Sequence, residues 1–209
     1  MSAREDIDDQ SIGNFLGQLA ARMAAPGAGA TAAVEAALSA SLVAMVGRFT
    51  KDEAHADVAS AIVAEADAQR DACLEAAADD EAAFSAVAEA MKLPRGTPEE
   101  KEARRGRLSE ASLEATRPPL AILGSAAELV TLAARVLPIA NSNLVSDVAA
   151  ATAAARAAAT TARLSVEANL PSIDDDDARA TLVAAVAGVE DLARRADDLE
   201  AEVRQRMRR

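Results

Sequence analysis

The stretch that decides the architecture runs from Met23 to Ala40 and reads MAAPGAGATAAVEAALSA. A compact turn, Pro26-Gly27-Ala28-Gly29, opens directly into a run of small and mostly apolar residues. Alanine is the best helix former and adds little beyond the backbone cylinder. The run therefore predicts a helix that neighbouring helices can approach closely. A turn so lean serves either close packing or the approach of a small molecule to the backbone N–H groups at a helix start.

Working outward, the whole chain fits the same architecture. It has 209 residues, 51% of them apolar, which suits a single domain over residues 1–209 with a sizeable core. There is no Trp or Tyr, and the three phenylalanines are Phe15, Phe49 and Phe84. Strands draw on β-branched and aromatic residues, so the expected fold is all-α: long up-and-down helices in a bundle, with no sheet. The net charge of −12 argues against nucleic acid as a partner, because phosphate binding needs a basic face. The basic run Arg204-Gln205-Arg206-Met207-Arg208-Arg209 reads as a helix end whose arginines complement the dipole. The lone Cys73 leaves no intramolecular disulfide and no cysteine-cluster metal site. The charged opening, MSAREDIDDQ, lacks the apolar core of a signal peptide. Together these point to a cytoplasmic protein. Pro118–Ala140 is the most apolar long window, but Glu128 and Arg135 interrupt it. It reads as a buried helix rather than a membrane span.

Periodicity and breakers predict six helical stretches. They run over about 9–23, 30–50, 52–91, 97–137, 142–170 and 172–208. Thr97-Pro98-Glu99-Glu100 is a capping box with proline at the first helical position. Pro118-Pro119 kinks or splits the fourth stretch. The four aspartates Asp174 to Asp177 read as a first helical turn rather than a metal site. His55, among Asp52, Glu53 and Asp57, reads as solvated rather than as a phosphotransfer site.

Two carboxylates stand out. In the third stretch Val58, Ile62, Ala66, Cys73, Ala77, Phe84, Val87 and Met91 form an apolar stripe, and Asp80 falls on it. A carboxylate there is costly unless paired or protonated, and desolvation would lift its pKa towards that of a general base. The alternative is a small helix rotation that leaves Asp80 at the rim. Cys73, on the same stripe, reads as core rather than nucleophile. In the fifth stretch Asp147 shares a small-residue face with Ala151, Ala154, Ala158, Thr161 and Ser165, while Arg156, Arg163 and Glu167 share an opposite, wet face. Asp147 is either a site residue or an acid stabilised by the helix start.

The motifs Ala24–Gly47, Asp79–Phe84, Met91–Lys101, Asn141–Asp147 and Asn169–Ile173 occur in the order and spacing of one family. The chain resembles the cyclodeaminase domain of formiminotransferase-cyclodeaminase and the related stand-alone methenyltetrahydrofolate cyclohydrolases, from about Ile12 onward. The resemblance implies an all-α homodimer acting on a tetrahydrofolate derivative, with no tightly bound cofactor or metal. Its Asp-x-x-Ala-Phe motif falls on Asp80 to Phe84 and makes Asp80 the proton acceptor. Its Asn-x-Asn-x-x-Ser-Asp motif falls on Asn141, Asn143, Ser146 and Asp147, with Asp147 as electrostatic partner. Its basic residue before Leu-Pro falls on Lys92, a ligand for the folate glutamate or a charge that tunes Asp80. The turn at Pro26, Gly27, Ala28 and Gly29 would receive the ligand. The chain also departs from the family's Pro-Gly-Gly-Gly-Ser: Ala28 stands for a glycine and Ala30 for the serine, and Ser165 stands where the family often has Asn. These changes bear on folate specificity.

The resemblance thus implies an enzyme that opens or closes a C–N bond at a one-carbon bridge by carboxylate acid-base catalysis. The reaction is methenyltetrahydrofolate hydrolysis or formiminotetrahydrofolate deamination. The rival readings are a same-fold enzyme with a non-folate substrate, and a helical dimer without catalysis.

Overall fold

The structure is a computed structural model and describes residues 10–208. Among these the chain forms eight α-helices and no strand. They are α1 (Ile12–Leu19), α2 (Ala28–Arg48), α3 (Ala56–Lys92), α4 (Pro98–Glu114), α5 (Arg117–Val136), α6 (Val145–Asn169), α7 (Asp176–Ala187) and α8 (Val189–Arg206). Short 3-10 turns cover Glu53–His55, Leu137–Ile139, Ser142–Leu144 and Leu170–Ser172.

Two expected helices are divided. The fourth breaks at Ala115 and Thr116. Proline lacks the N–H that an interior turn needs, so Pro118-Pro119 is accommodated in the first turn of α5 instead. The last breaks at Gly188, the poorest helix former after proline. The capping box of α4 forms as its sequence dictates, with Thr97 accepting from the Glu100 N–H and Glu100 accepting from the Thr97 N–H. Asp175 caps α7 by accepting from the Ala178 N–H, so the acidic run acts at a helix start. The first helix is shorter than expected, beginning after its Ser11 cap; the expected start at Asp9 lies outside the described residues.

α2 is the central rod. It packs against α3, α6 and α5, and α6 in turn packs against α5 and α8. Ala32, Ala33, Ala36, Ala40, Val43 and Val46 are fully buried. Small side chains are what let the backbones approach: a Cβ on Gly47 would meet the Val63 Cγ2 at 2.7 Å. α2 and α3 are antiparallel, since Gly47 faces Val63 at one end while Gly29 faces Asp80 at the other. α2 and α6 are antiparallel too. Thr161 donates to Glu35 at 3.2 Å, and Thr50 donates to the Ile139 carbonyl, just before α6, at 3.3 Å. α2 is long and apolar enough to cross a membrane, yet most of that window is packed inside the bundle.

The α3 stripe is buried at Ile62, Ala66, Cys73, Ala77 and Val87, but Val58, Phe84 and Met91 are exposed. The helix is 37 residues long, about 55 Å, and its far end packs on α4 through Val87 and Ala90 against Ala111 and Ala115. The Arg156–Glu167 face of α6 is not simply wet, as expected. Arg156 and Arg163 pair with Asp197 and Glu190 of α8, at 3.3 and 2.6 Å.

Candidate functional site

The site begins with a missing cap. α2 starts at Ala28 behind Gly27, which has no side chain to satisfy the first-turn N–H groups. Asp80 of α3 supplies the acceptor. Its carboxylate lies directly against Gly29 and accepts from the Ala30 N–H. A Cβ on Gly29 would overlap both carboxylate oxygens, so any other residue there displaces the Asp80 carboxylate. The requirement is close approach, not backbone freedom, because no described glycine has a positive φ.

Asp80 is half-buried. Burial pushes its pKa up from 3.8 to about 6; the neighbouring Glu81 charge adds to the rise, and the Ala30 N–H opposes it. Desolvation dominates because a carboxylate loses more by leaving water than one backbone N–H returns. The group is therefore poised to hold or release a proton near neutrality.

The departures at Ala28 and Ala30 are mild in this setting. Ala28 is the first residue of a regular helix, and the Asp80 contact at Ala30 is made by the backbone, which any residue other than proline supplies. Pro26 is buried and follows Ala25 through a cis bond. Ser165 lies at this same end. It sits one turn beyond Thr161 on antiparallel α6, level with Thr31.

Asn141, Asn143, Ser146 and Asp147 lie at the opposite end. Asn141 caps the turn before α6 by accepting from the Asn143 N–H at 3.0 Å. It also lines a polar cleft with Lys51, Asp52, His55, Pro138, Ile139 and Ala140. His55 is not simply solvated: its Nδ1 lies 2.8 Å from the Asp52 carboxylate. Asp147 stands fourteen residues before Thr161 on α6, which brings it level with the Gly47 end of α2. Gly29 and Gly47 are eighteen residues apart, so Asp80 and Asp147 of one chain are separated by about 27 Å along the bundle. The Asp147 side chain makes no hydrogen bond or ion pair with another described residue.

Lys92 is also distant from Asp80. It lies twelve residues further along α3, about 18 Å, and pairs with Glu89 at 2.6 Å. The charge that tunes Asp80 is that of Glu81, so the expected tuning by Lys92 does not occur within the chain. Cys73 is buried, and burial pushes its thiol pKa up, the opposite of an activated nucleophile. No cluster of three metal-ligating side chains occurs among the described residues.

Sequence reasoning missed Glu35. It is the only acid on α2, set among alanines. It is half-buried with its pKa raised by desolvation, against which the Thr161 hydroxyl donates. The available signal was a lone charge inside a helix whose other residues, up to Arg48, are uncharged.

Three similarities bear on this arrangement. The sequence model of the family described as formiminotransferase-cyclodeaminase matches residues 11–188. A stretch of 98 residues is 41% identical to methenyltetrahydrofolate cyclohydrolase of Methylorubrum extorquens. It covers 47% of this chain and 47% of that protein, so the chain spans about half the length of this curated relative. The crystal structure of formiminotetrahydrofolate cyclodeaminase from Thermotoga maritima shares the fold, with a TM-score of 0.81 over 97% of this chain and 98% of that one, at 23% sequence identity.

Proposed function

Since the chain belongs to the formiminotransferase-cyclodeaminase family, we propose that it is a folate one-carbon enzyme using Asp80 as its acid-base group. The carrying observation is a desolvated carboxyl, with pKa near 6, held at the open start of a buried helix. General acid-base catalysis is most effective when the group's pKa lies near the working pH, and typically contributes about 10²–10⁴-fold.

The reaction is hydrolysis of 5,10-methenyltetrahydrofolate. Its one-carbon bridge is cationic, and an ionised Asp80 stabilises a positive charge beside it. Water adds to the bridge carbon, and Asp80 accepts one water proton. Asp80 then returns that proton to N5 as the C–N5 bond opens. The remaining hydroxyl proton leaves to solvent as the formyl C=O forms on N10. In the related deamination, N10 attacks a formimino carbon and ammonia departs, so Asp80 takes the N10 proton and delivers one to the leaving nitrogen. Pro26, Gly27, Ala28 and Gly29 form the backbone edge the ligand approaches, with Ser165 at the same end. Asn141, Asn143, Ser146, Asp147 and Lys92 belong to the proposed binding set only in the homodimer, since within one chain they lie about 18–27 Å from Asp80. The reading includes a cytoplasmic homodimer and no tightly bound cofactor.

Incubation with 5,10-methenyltetrahydrofolate tests this directly. Loss of its near-ultraviolet absorbance faster than in buffer is expected, and a buffer-level rate contradicts the reading. Ammonia release from the 5-formimino compound separates deaminase from hydrolase.

A further inference from the structure

Glu35 is a charge that the protein does not answer. One of its oxygens, Oε2, accepts from the Thr161 hydroxyl at 3.2 Å. The other, Oε1, meets no donor among the described residues. The cations of the flanking helices are engaged elsewhere. Arg156 and Arg163 of α6 turn to Asp197 and Glu190 of α8, and Arg48 of α2 turns to Asp67 of α3. An ionised carboxylate has about four acceptor positions, and leaving them empty out of water costs free energy. Glu35 therefore has capacity to spare for N–H donors that the chain does not supply.

Its place in the fold says where such donors would come from. Thr31 and Glu35 stand one turn apart on α2, and Thr161 and Ser165 one turn apart on antiparallel α6. All four are half-buried, and together they form a polar stripe along the seam of the two helices. The stripe leads to the open start of α2, where Asp80 lies against Gly29. The Thr31 hydroxyl donates to the Gly27 carbonyl at 2.9 Å, and the Ser165 hydroxyl to the Thr161 carbonyl at 3.2 Å. Glu35 is thus the one charged group of the stripe. It stands six residues after Gly29, about 9 Å further along α2.

A reduced pterin is a fused two-ring system with its one-carbon bridge at one edge. At the far edge, N3–H and the 2-amino group present two N–H donors side by side. Paired donors of this kind match the two oxygens of one carboxylate, as the guanidinium fork does. We propose that Glu35 reads the pterin: its carboxylate accepts from N3–H and the 2-amino group while the one-carbon bridge lies at Asp80. Glu35 is then a specificity-determining residue, and Asp80 remains the acid-base group. The inference deepens the functional reading above and rests on it for the identity of the ligand.

Glu35→Ala tests it. Alanine favours the helix and removes a desolvated charge, so the variant should fold with at least wild-type stability. Its KM for 5,10-methenyltetrahydrofolate should rise roughly 10- to 100-fold with kcat little changed, the pattern of a lost contact made equally in ground and transition states. A second readout needs no turnover. Calorimetry should show the wild type binding 5-formyltetrahydrofolate about tenfold more tightly than its analogue lacking the 2-amino group. Glu35→Ala should bind the two alike, which a merely structural role for Glu35 would not produce. If the wild type hydrolyses the substrate and Glu35→Ala keeps its KM, or keeps the preference for the 2-amino compound, the proposal falls and the functional reading stands. A wild type that neither hydrolyses the first compound nor binds the second overturns both.

Discussion

Asp80 and Gly29 form the smallest unit of the account. Their contact leaves no room for a Cβ, so Gly29→Ala forces the carboxylate off the α2 start. Overpacking of this kind costs roughly 1–3 kcal/mol. Chemical denaturation should show a loss of that size, and combining Gly29→Ala with Asp80→Ala should recover part of it, because the two changes share one space. The ionisation of Asp80 has its own signature. The unfolded group titrates near 3.8 and the folded one near 6, so between these values the folded state binds more protons. Its contribution to stability is therefore most favourable below about 3.8, weakens as pH rises through 6, and stays weakened above. Asp80→Asn, which keeps an acceptor for the Ala30 N–H, should raise the melting temperature at pH 8 and give no gain at pH 4. A gain independent of pH would contradict the desolvation argument. The suspicion about Asp80 was legible in sequence, since an acid on an apolar stripe is anomalous. What removes it from water was not legible, because the Gly29 contact joins residues far apart in the chain.

At the scale of elements, α2 carries most of the argument. The alanine run made its helix legible, as did the Pro-Gly turn before it and the capping box of α4. The division of α4 from α5 was open, since two prolines can kink a helix or restart one. The break at Gly188 was missed, because one glycine is often tolerated inside a helix. Ala28, which departs from the family turn, occupies an ordinary first-turn position of α2. Restoring glycine there should lower stability by about 0.5 kcal/mol, the ordinary helix-propensity difference. It should also leave the turnover of methenyltetrahydrofolate no faster. An accelerated Ala28→Gly enzyme would show that the turn needs a freedom the structure does not use.

For the whole molecule, composition already excluded a sheet, and the bundle follows from helices lined with small residues. The placement of the candidate residues did not follow. Motif order suggested one cluster, but antiparallel packing sends Asp80 and Ser165 to one end and Asn141 to Asp147 to the other. Helix direction is a tertiary property, so only the structure reveals the separation. The proposed homodimer predicts that a charged substitution at the exposed Leu38 of α2, Leu38→Glu, gives monomers by sedimentation with an unchanged helical spectrum. The most direct test of the central claim is the pH dependence of 5,10-methenyltetrahydrofolate hydrolysis by the wild-type protein and by Asp80→Asn. The wild type should lose activity as pH falls through about 6, where Asp80 takes up its proton, and the variant should stay at the buffer rate throughout. A variant that hydrolyses the compound as fast as the wild type would contradict the account.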